Sequence, residues 1–145
     1  LINRQPARLV ILGEGEDRLL LRQLANTLGL SEQVEFAGFT LNPFPYFCQA
    51  DLFVLSSRYE GLANVLIEAL ACGTPIISTD CPSGPREIVE MTSTGGLVPV
   101  GDPEALALAI ECQLNQVKAR ISPDLTVFTA EYAADQYLGV TTEVT

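Results

Sequence analysis

Five short apolar runs constrain the fold of this chain more than any other feature. The runs are continuous instead of alternating with polar residues, and a helix-forming segment follows each of them. Strands of this kind are typical of a parallel sheet with both faces covered. The sequence therefore predicts an α/β fold built on a doubly wound parallel sheet. The predicted strands are Arg8–Gly13, Val34–Gly38, Asp51–Leu55, Ile76–Thr79 and Gly96–Val100.

Residues typical of helix ends predict the helices between these strands. Gly29 follows a leucine-rich segment and suits a helix C-cap, because glycine adopts the left-handed conformation without strain. Pro85 fits the first turn of a short helix, and Asp102 followed by Pro103 predicts the start of a longer one. Further helices are predicted near 42–50 and 129–138. The side chains expected to face the core are Leu20, Leu21, Leu24, Ala25 and Leu28 in the first helix, and Leu106, Ile110, Leu114 and Val117 after Asp102.

Composition limits the class of protein. With 145 residues, 48% of them hydrophobic, the chain fits one domain over 1–145. The net charge of −10 disfavours nucleic acid or an anionic membrane as a partner, because both attract clustered Lys and Arg. The absence of His removes the commonest metal ligand, and no metal site is expected. No apolar run reaches the ~18 residues of a membrane span. The four cysteines lack metal-site spacing, so free thiols in the cytoplasm are expected.

The segment 56–73 holds the main candidate site. It leaves the third predicted strand, passes Glu60 and Gly61 in a loop, and enters a helix that is apolar almost all the way round. Such a helix is expected to be buried, so Glu68 within it must be paired, hydrogen-bonded or protonated. Free N–H groups at a helix start bind anions, and carboxylates accept hydrogen bonds from sugar hydroxyls. An anion at that helix start, with a carboxylate on each side, would fit a phosphate linked to hydroxyl-bearing groups. Residue types alone favour a solvated Glu60, and for Glu68 a ligand and a neighbouring backbone partner are equally open.

Two other segments are weaker candidates. Gly13-Glu14-Gly15 follows a strand, but Arg18 stands where a dinucleotide fingerprint has its third glycine, which favours a plain turn. The segment 80–87 could place Asp80, Ser83 and Arg86 at the same sheet edge, although a turn shaped by proline and glycine is the favoured interpretation.

Glu60 and Glu68 form an E-x7-E pair, and the residues around them resemble family 4 glycosyltransferases. These are retaining enzymes of the GT-B fold that use nucleotide sugars. The resemblance covers nearly the whole chain and implies a Rossmann-like C-terminal half of that fold, the donor-binding domain, in an enzyme of polysaccharide biosynthesis. It rests on 9–15, 34–38, 56–61, 68–75, 80–87 and 96–103.

The resemblance also assigns site residues. It implies that Glu60 contacts hydroxyls of the donor sugar, as the catalytic residue, and that Glu68 binds the nucleotide ribose. Phe39 and Thr40 are expected beside the base. The backbone groups expected near the sugar and the diphosphate are those of Gly61, Leu62, Ala63, Asn64 and Val65.

The resemblance further implies features that this sequence lacks. In the family, a glycine-arginine and a lysine-glycine element neutralise the leaving diphosphate, and they lie upstream with the first strand and the acceptor domain. We therefore expect a fragment of a longer chain, cytoplasmic or at the cytoplasmic membrane face, that binds donor weakly and uses no cofactor. A missing central strand would leave a closed-up sheet or an exposed apolar groove. The alternatives are a GT-B nucleotide-sugar epimerase and a non-catalytic Rossmann-like binding module.

Overall fold

The computed structural model describes residues 7–116 and 120–142, apart from the side chains of 137 and 139–142. The chain divides into two compact units, Leu1–Pro43 and Phe44–Thr145. Every paired strand is parallel to its neighbour, and helices separate the strands along the chain. The predicted α/β fold with parallel sheet pairing is therefore confirmed. The prediction of one domain over 1–145 stays a prediction.

The strands form two sheets instead of the single sheet expected from their alternation. In the first unit, β1 (Leu9–Leu12) pairs only with β2 (Val34–Gly38). In the second unit, the order is β3 (Phe53–Leu55), β4 (Ile76–Thr79) and β5 (Gly96–Val98). Apolar runs predict that strands are parallel, but they do not specify which strands lie side by side.

The first unit places α1 (Arg18–Thr27) between its two strands in the chain. Gly29 ends the helix as predicted, with φ +70°, and its N–H donates to the Asn26 carbonyl over 3.0 Å. Arg18 forms an ion pair with Glu14 and donates to the Phe36 carbonyl over 3.2 Å. The segment after β1 is thus a turn that is tied to β2 by Arg18.

The predicted core face of α1 is wrong. Leu20, Leu24 and Leu28 are 61%, 53% and 60% exposed, Leu21 is also exposed, and Ala25 is the one buried residue of this helix. Leu9 and Val10, which point to opposite faces of β1, are exposed as well. A two-stranded sheet offers too little surface to cover these side chains. Periodicity identifies the apolar face of a helix, but burial depends on what lies against it.

The second unit contains the remaining helices. Asp102 caps α5 as predicted, since its carboxylate accepts a hydrogen bond from the Ala105 N–H over 2.9 Å. Leu106, Ile110 and Leu114 are half-buried instead of core residues, and Val117 lies outside the described residues. The last helix extends past the predicted Leu138. The elements are α2 (Phe44–Gln49), α3 (Asn64–Ala71), α4 (Pro85–Thr92), α5 (Pro103–Leu114), a 3₁₀ turn (Thr126–Phe128) and α6 (Ala130–Thr142).

The core of the second unit lies between α3, α4 and the three-stranded sheet. Leu66, Leu70, Ile76 and Ile88 are almost completely buried. Helix α3 buries one face, while Ile67 and Glu68 on the other side are only half-buried. The expectation of a helix buried all round is therefore wrong. Throughout the described residues, each helix is too short or too polar to cross a lipid bilayer.

Thr74 links separate segments of this core. Its side chain is fully buried, its hydroxyl donates to the Phe47 carbonyl over 2.5 Å, and it accepts from Arg120 over 2.7 Å. The Thr74 hydroxyl thereby connects the end of α2, the start of β4 and the segment before α6.

We expect Thr74→Val to lower the free energy of unfolding by about 1–3 kcal/mol, because valine fills the space but removes both hydrogen bonds of a fully buried hydroxyl. Urea denaturation measures the loss. Thr27→Val is the matched control: Thr27 is exposed and bonds only to the Gln23 carbonyl of its own helix. Its effect should stay within about 0.5 kcal/mol. Equal effects of the two substitutions would contradict the assigned role of Thr74.

Candidate functional site

Two loops meet at the carboxyl edge of the three-stranded sheet. The loop 56–63 follows β3 and leads into α3, and the loop 80–84 follows β4 and leads into α4. Because β3 and β4 are parallel, their carboxyl ends lie at the same edge. This edge is where open α/β sheets bind ligands.

Two hydroxyl groups position the Glu60 carboxylate, one directly and one through the backbone of Ser57. The Ser57 hydroxyl donates to Glu60 Oε1 over 2.5 Å, at a partly buried position. The Thr79 hydroxyl, at the end of β4, donates to the Ser57 carbonyl over 2.5 Å. Thr79 is only 5% exposed, so its position is fixed by the core. The carboxylate is therefore oriented by the buried strand β4.

The backbones of the two loops are in direct contact. Gly84 has φ +79°, and a methyl group on its Cα would lie 2.3 Å from the Gly61 carbonyl oxygen and 2.9 Å from the Leu62 carbonyl carbon. Only glycine allows this approach. Gly84 thus determines how close the loop that carries Glu60 lies to the loop that leads into α4.

Helix α3 begins with a strained residue. Ala63, its N-cap, adopts the left-handed conformation at φ 55° and ψ 45°, which costs a non-glycine residue ~1–2 kcal/mol. Among the described residues, no side chain caps this helix. Its first N–H groups, at Asn64 and Val65, therefore have the orientation that binds an anion.

Glu68 lies one turn further along α3 and lines a cavity. The cavity has a volume of about 510 Å³ and lies between α3, α4 and the segment that leads into α6. Leu62, Asn64 and Ile67 line it on the α3 side, and Met91 and Phe128 add apolar surface opposite. Cavities of this size and mixed lining bind small molecules. Glu68 is therefore a half-buried acceptor that faces a space large enough for a ligand.

Two of the three arginines in the described second unit are engaged with protein groups, and the third, Arg58, is exposed in the Glu60 loop. Arg86 forms ion pairs with Asp80 and Glu90 at the start of α4. Arg120 donates to Thr74 and to the carbonyls of Cys48 and Cys72. The segment 80–87 is thus a turn closed by an ion pair, in agreement with its structural interpretation.

The structure brings together most of the residues that the sequence singles out. Glu60 to Val65 form the loop and the start of α3, and Leu62 and Asn64 line the cavity with Glu68. Phe39 and Thr40 belong to the first unit, so their place beside the base stays a prediction. In the described ranges, no three His, Cys, Asp or Glu side chains cluster so that they could hold a metal.

Three residues of the site were missed by the sequence analysis. Ser57 stands three residues before Glu60, a spacing that allows a side-chain contact within one loop. Thr79 ends an apolar strand, where a hydroxyl has no obvious packing role. Gly84 lies in a proline-flanked turn, which indicates a turn but not its close contact with Gly61.

Comparison with known proteins identifies the family. The family model described as "Glycosyl transferases group 1" matches residues 1–116. The lipopolysaccharide core biosynthesis glycosyltransferase LpsE of Rhizobium meliloti is 37% identical over 137 residues, which are 90% of this chain and 40% of LpsE. The chain thus spans less than half of this relative.

Two solved structures agree with this result. Anabaena HepE in complex with UDP-glucose is 29% identical with a TM-score of 0.67, over 74% of this chain and 31% of HepE. The apo lipopolysaccharide outer core galactosyltransferase WaaB is 28% identical with a TM-score of 0.66, over 73% of this chain and 31% of WaaB. The predicted likeness to GT-B glycosyltransferases is therefore confirmed, and the chain belongs to the glycosyl transferases group 1 family.

Proposed function

We propose that this chain is the donor-binding part of a retaining glycosyltransferase that takes a sugar from a nucleotide diphosphate sugar. The observation that carries the proposal is the arrangement around the start of α3. The start of α3 is uncapped, Glu60 is oriented just before it, and Glu68 faces a cavity one turn into it. A complex of the related HepE with UDP-glucose supports the class of donor.

In this proposal the diphosphate binds at the first N–H groups of α3. The exposed backbone at Gly61 allows a phosphate to approach closely, and the helix dipole favours negative charge at this end. The buried Ala63 fixes the direction in which the helix starts. These groups need no metal ion to contact the phosphates, and we keep the absence of a metal and of a cofactor as predictions.

The two carboxylates bind different parts of the donor. Glu60 precedes the phosphate position and accepts hydrogen bonds from the sugar, while Glu68 lies further along α3 and accepts from the ribose hydroxyls. Hydrogen bonds from hydroxyls to a carboxylate are charge-assisted and directional, so they select the orientation of a polyol. Glu60 thereby holds the anomeric carbon for transfer, and Glu68 holds the nucleotide.

Transfer needs more positive charge than the described second unit offers. The leaving diphosphate must be stabilised as its bond to the sugar breaks. Arg86 and Arg120 are engaged with protein groups, which leaves the exposed Arg58 of the Glu60 loop in a chain with a net charge of −10. We therefore assign diphosphate neutralisation and acceptor binding to the remainder of the full-length enzyme, which we place in the cytoplasm.

Glu68→Gln in the full-length enzyme should weaken the binding of a nucleoside diphosphate by about 1–3 kcal/mol, because a charged hydrogen-bond acceptor for ribose becomes a neutral one. Calorimetry with UDP measures this change. Glu104→Gln, at an exposed position in the first turn of α5, is the control and should leave the affinity unchanged. An unaltered affinity of Glu68→Gln for UDP would refute the ribose assignment.

Glu60→Ala should spare the affinity for UDP and reduce sugar transfer, because UDP lacks the sugar that Glu60 contacts. The same calorimetry gives the affinity, and release of UDP from the sugar donor in the presence of acceptor gives the rate. A parallel loss of UDP affinity and transfer would mean that the two carboxylates do not divide the donor between them.

Ser57→Ala should lower the rate of transfer by about 10–150-fold, the equivalent of one hydrogen bond to a charged group, with little change in UDP affinity. The rate should fall because the variant lacks the hydroxyl that orients Glu60. Ser56→Ala, at the exposed neighbouring serine, serves as the matched control and should keep the full rate. If both serine variants behave alike, Ser57 has no orienting role.

A further inference from the structure

Cys48 and Cys72 lie side by side in the second unit, away from the Glu60 loop in the sequence. Cys48 stands near the end of α2, and Cys72 is the C-cap of α3. Besides burial, the nearby Cys48 side chain raises the pKa of the Cys72 thiol. Cys48 is exposed and Cys72 is half-buried, whereas Cys81 is fully buried. The pair is therefore accessible from solvent through Cys48.

Three contacts independent of the sulfur atoms hold the two backbones together. The Arg120 guanidinium donates to the Cys48 carbonyl and, over 3.4 Å, to the Cys72 carbonyl. Thr74 donates to the carbonyl of Phe47, the residue before Cys48, over 2.5 Å. One guanidinium that bridges both carbonyls holds the two cysteine backbones next to each other.

We propose that Cys48 and Cys72 are a dithiol modification site, which a small-molecule disulfide of the glutathione type converts into an intramolecular disulfide. Cys48 attacks one sulfur of the reagent, and the first small thiol leaves with a proton. Cys72 then loses its proton, attacks the Cys48 sulfur and releases the second small thiol. Two protein thiols are oxidised, and one small disulfide is reduced to two thiols.

The environments of the two thiols set the order of these steps. Burial, together with the nearby Cys48 side chain, raises the pKa of Cys72 to about 11, so this thiol is protonated at neutral pH. Cys48 is the exposed thiol and reacts first with a reagent from solvent. Cys72 acts as the resolving thiol because it is already adjacent. The resulting bond would tie α2 to the end of α3, the helix that contains Glu68.

The test is treatment of the native protein with oxidised glutathione, followed by peptide mass spectrometry without reduction. We expect a peptide linked through Cys48 and Cys72, lighter by two hydrogen atoms than its reduced parts. Cys112 is the internal comparison: it is exposed on α5, and its described contact is the Gln116 amide at 4.0 Å. Cys112 should accumulate as a stable mixed disulfide with glutathione.

A variant without Cys72 tests whether this thiol resolves the glutathione adduct on Cys48. In Cys72→Ser, Cys48 should be trapped as a mixed disulfide with glutathione, while Cys112 behaves as before. Persistence of a glutathione adduct on Cys48 in the native protein, or a Cys48–Cys112 link, would overturn the proposal. So would a Cys48 that does not react while Cys112 does.

Discussion

The position of the Glu60 loop depends on how the end of β4 holds it. All four residues of β4 are buried, and the last of them, Thr79, uses its hydroxyl to bind the Ser57 carbonyl. A few residues later, Gly84 lies against the backbone of Gly61 and Leu62. A carboxylate that orients a substrate must be held to within ~0.5 Å, which a solvated loop alone does not achieve. The rigid strand gives the loop that precision.

This arrangement also explains where the backbone is strained. Ala63 and Ser83 have φ values of 55° and 66°, and they lie in the two loops that Gly84 brings together. Such conformations cost ~1–3 kcal/mol each and persist only where the surrounding structure enforces them. Here the buried face of α3 enforces the conformation on one side, and the contact of Gly84 with Gly61 enforces it on the other. The strain is the cost of directing the first N–H groups of α3 toward the edge of the sheet.

The parts of the fold that were predictable from sequence are those that local chemistry decides. Asp102 caps its helix and Gly29 ends one because a cap needs only nearby atoms. The separation into two sheets and the exposed leucines of α1 were not predictable, since both depend on which surfaces meet. At the candidate site, Glu60 and Glu68 were selected from their motif, and their roles stay predictions. Thr79 was not, because its contact with Ser57 spans 22 residues and leaves no periodic signal.

The charge of the site limits what this chain can contribute to catalysis. A diphosphate placed at α3 would lie near Glu60 and Glu68 in a chain of net charge −10. The N–H groups at an exposed helix start stabilise one anionic group by ~0.3–1 kcal/mol. That stabilisation is too small to offset the repulsion between two carboxylates and a leaving diphosphate. If Arg86 were released from Asp80 to help, the turn that positions Gly84 would lose its ion pair. These constraints favour the proposed division of labour, in which this chain orients the donor and another part of the enzyme supplies most of the neutralising charge.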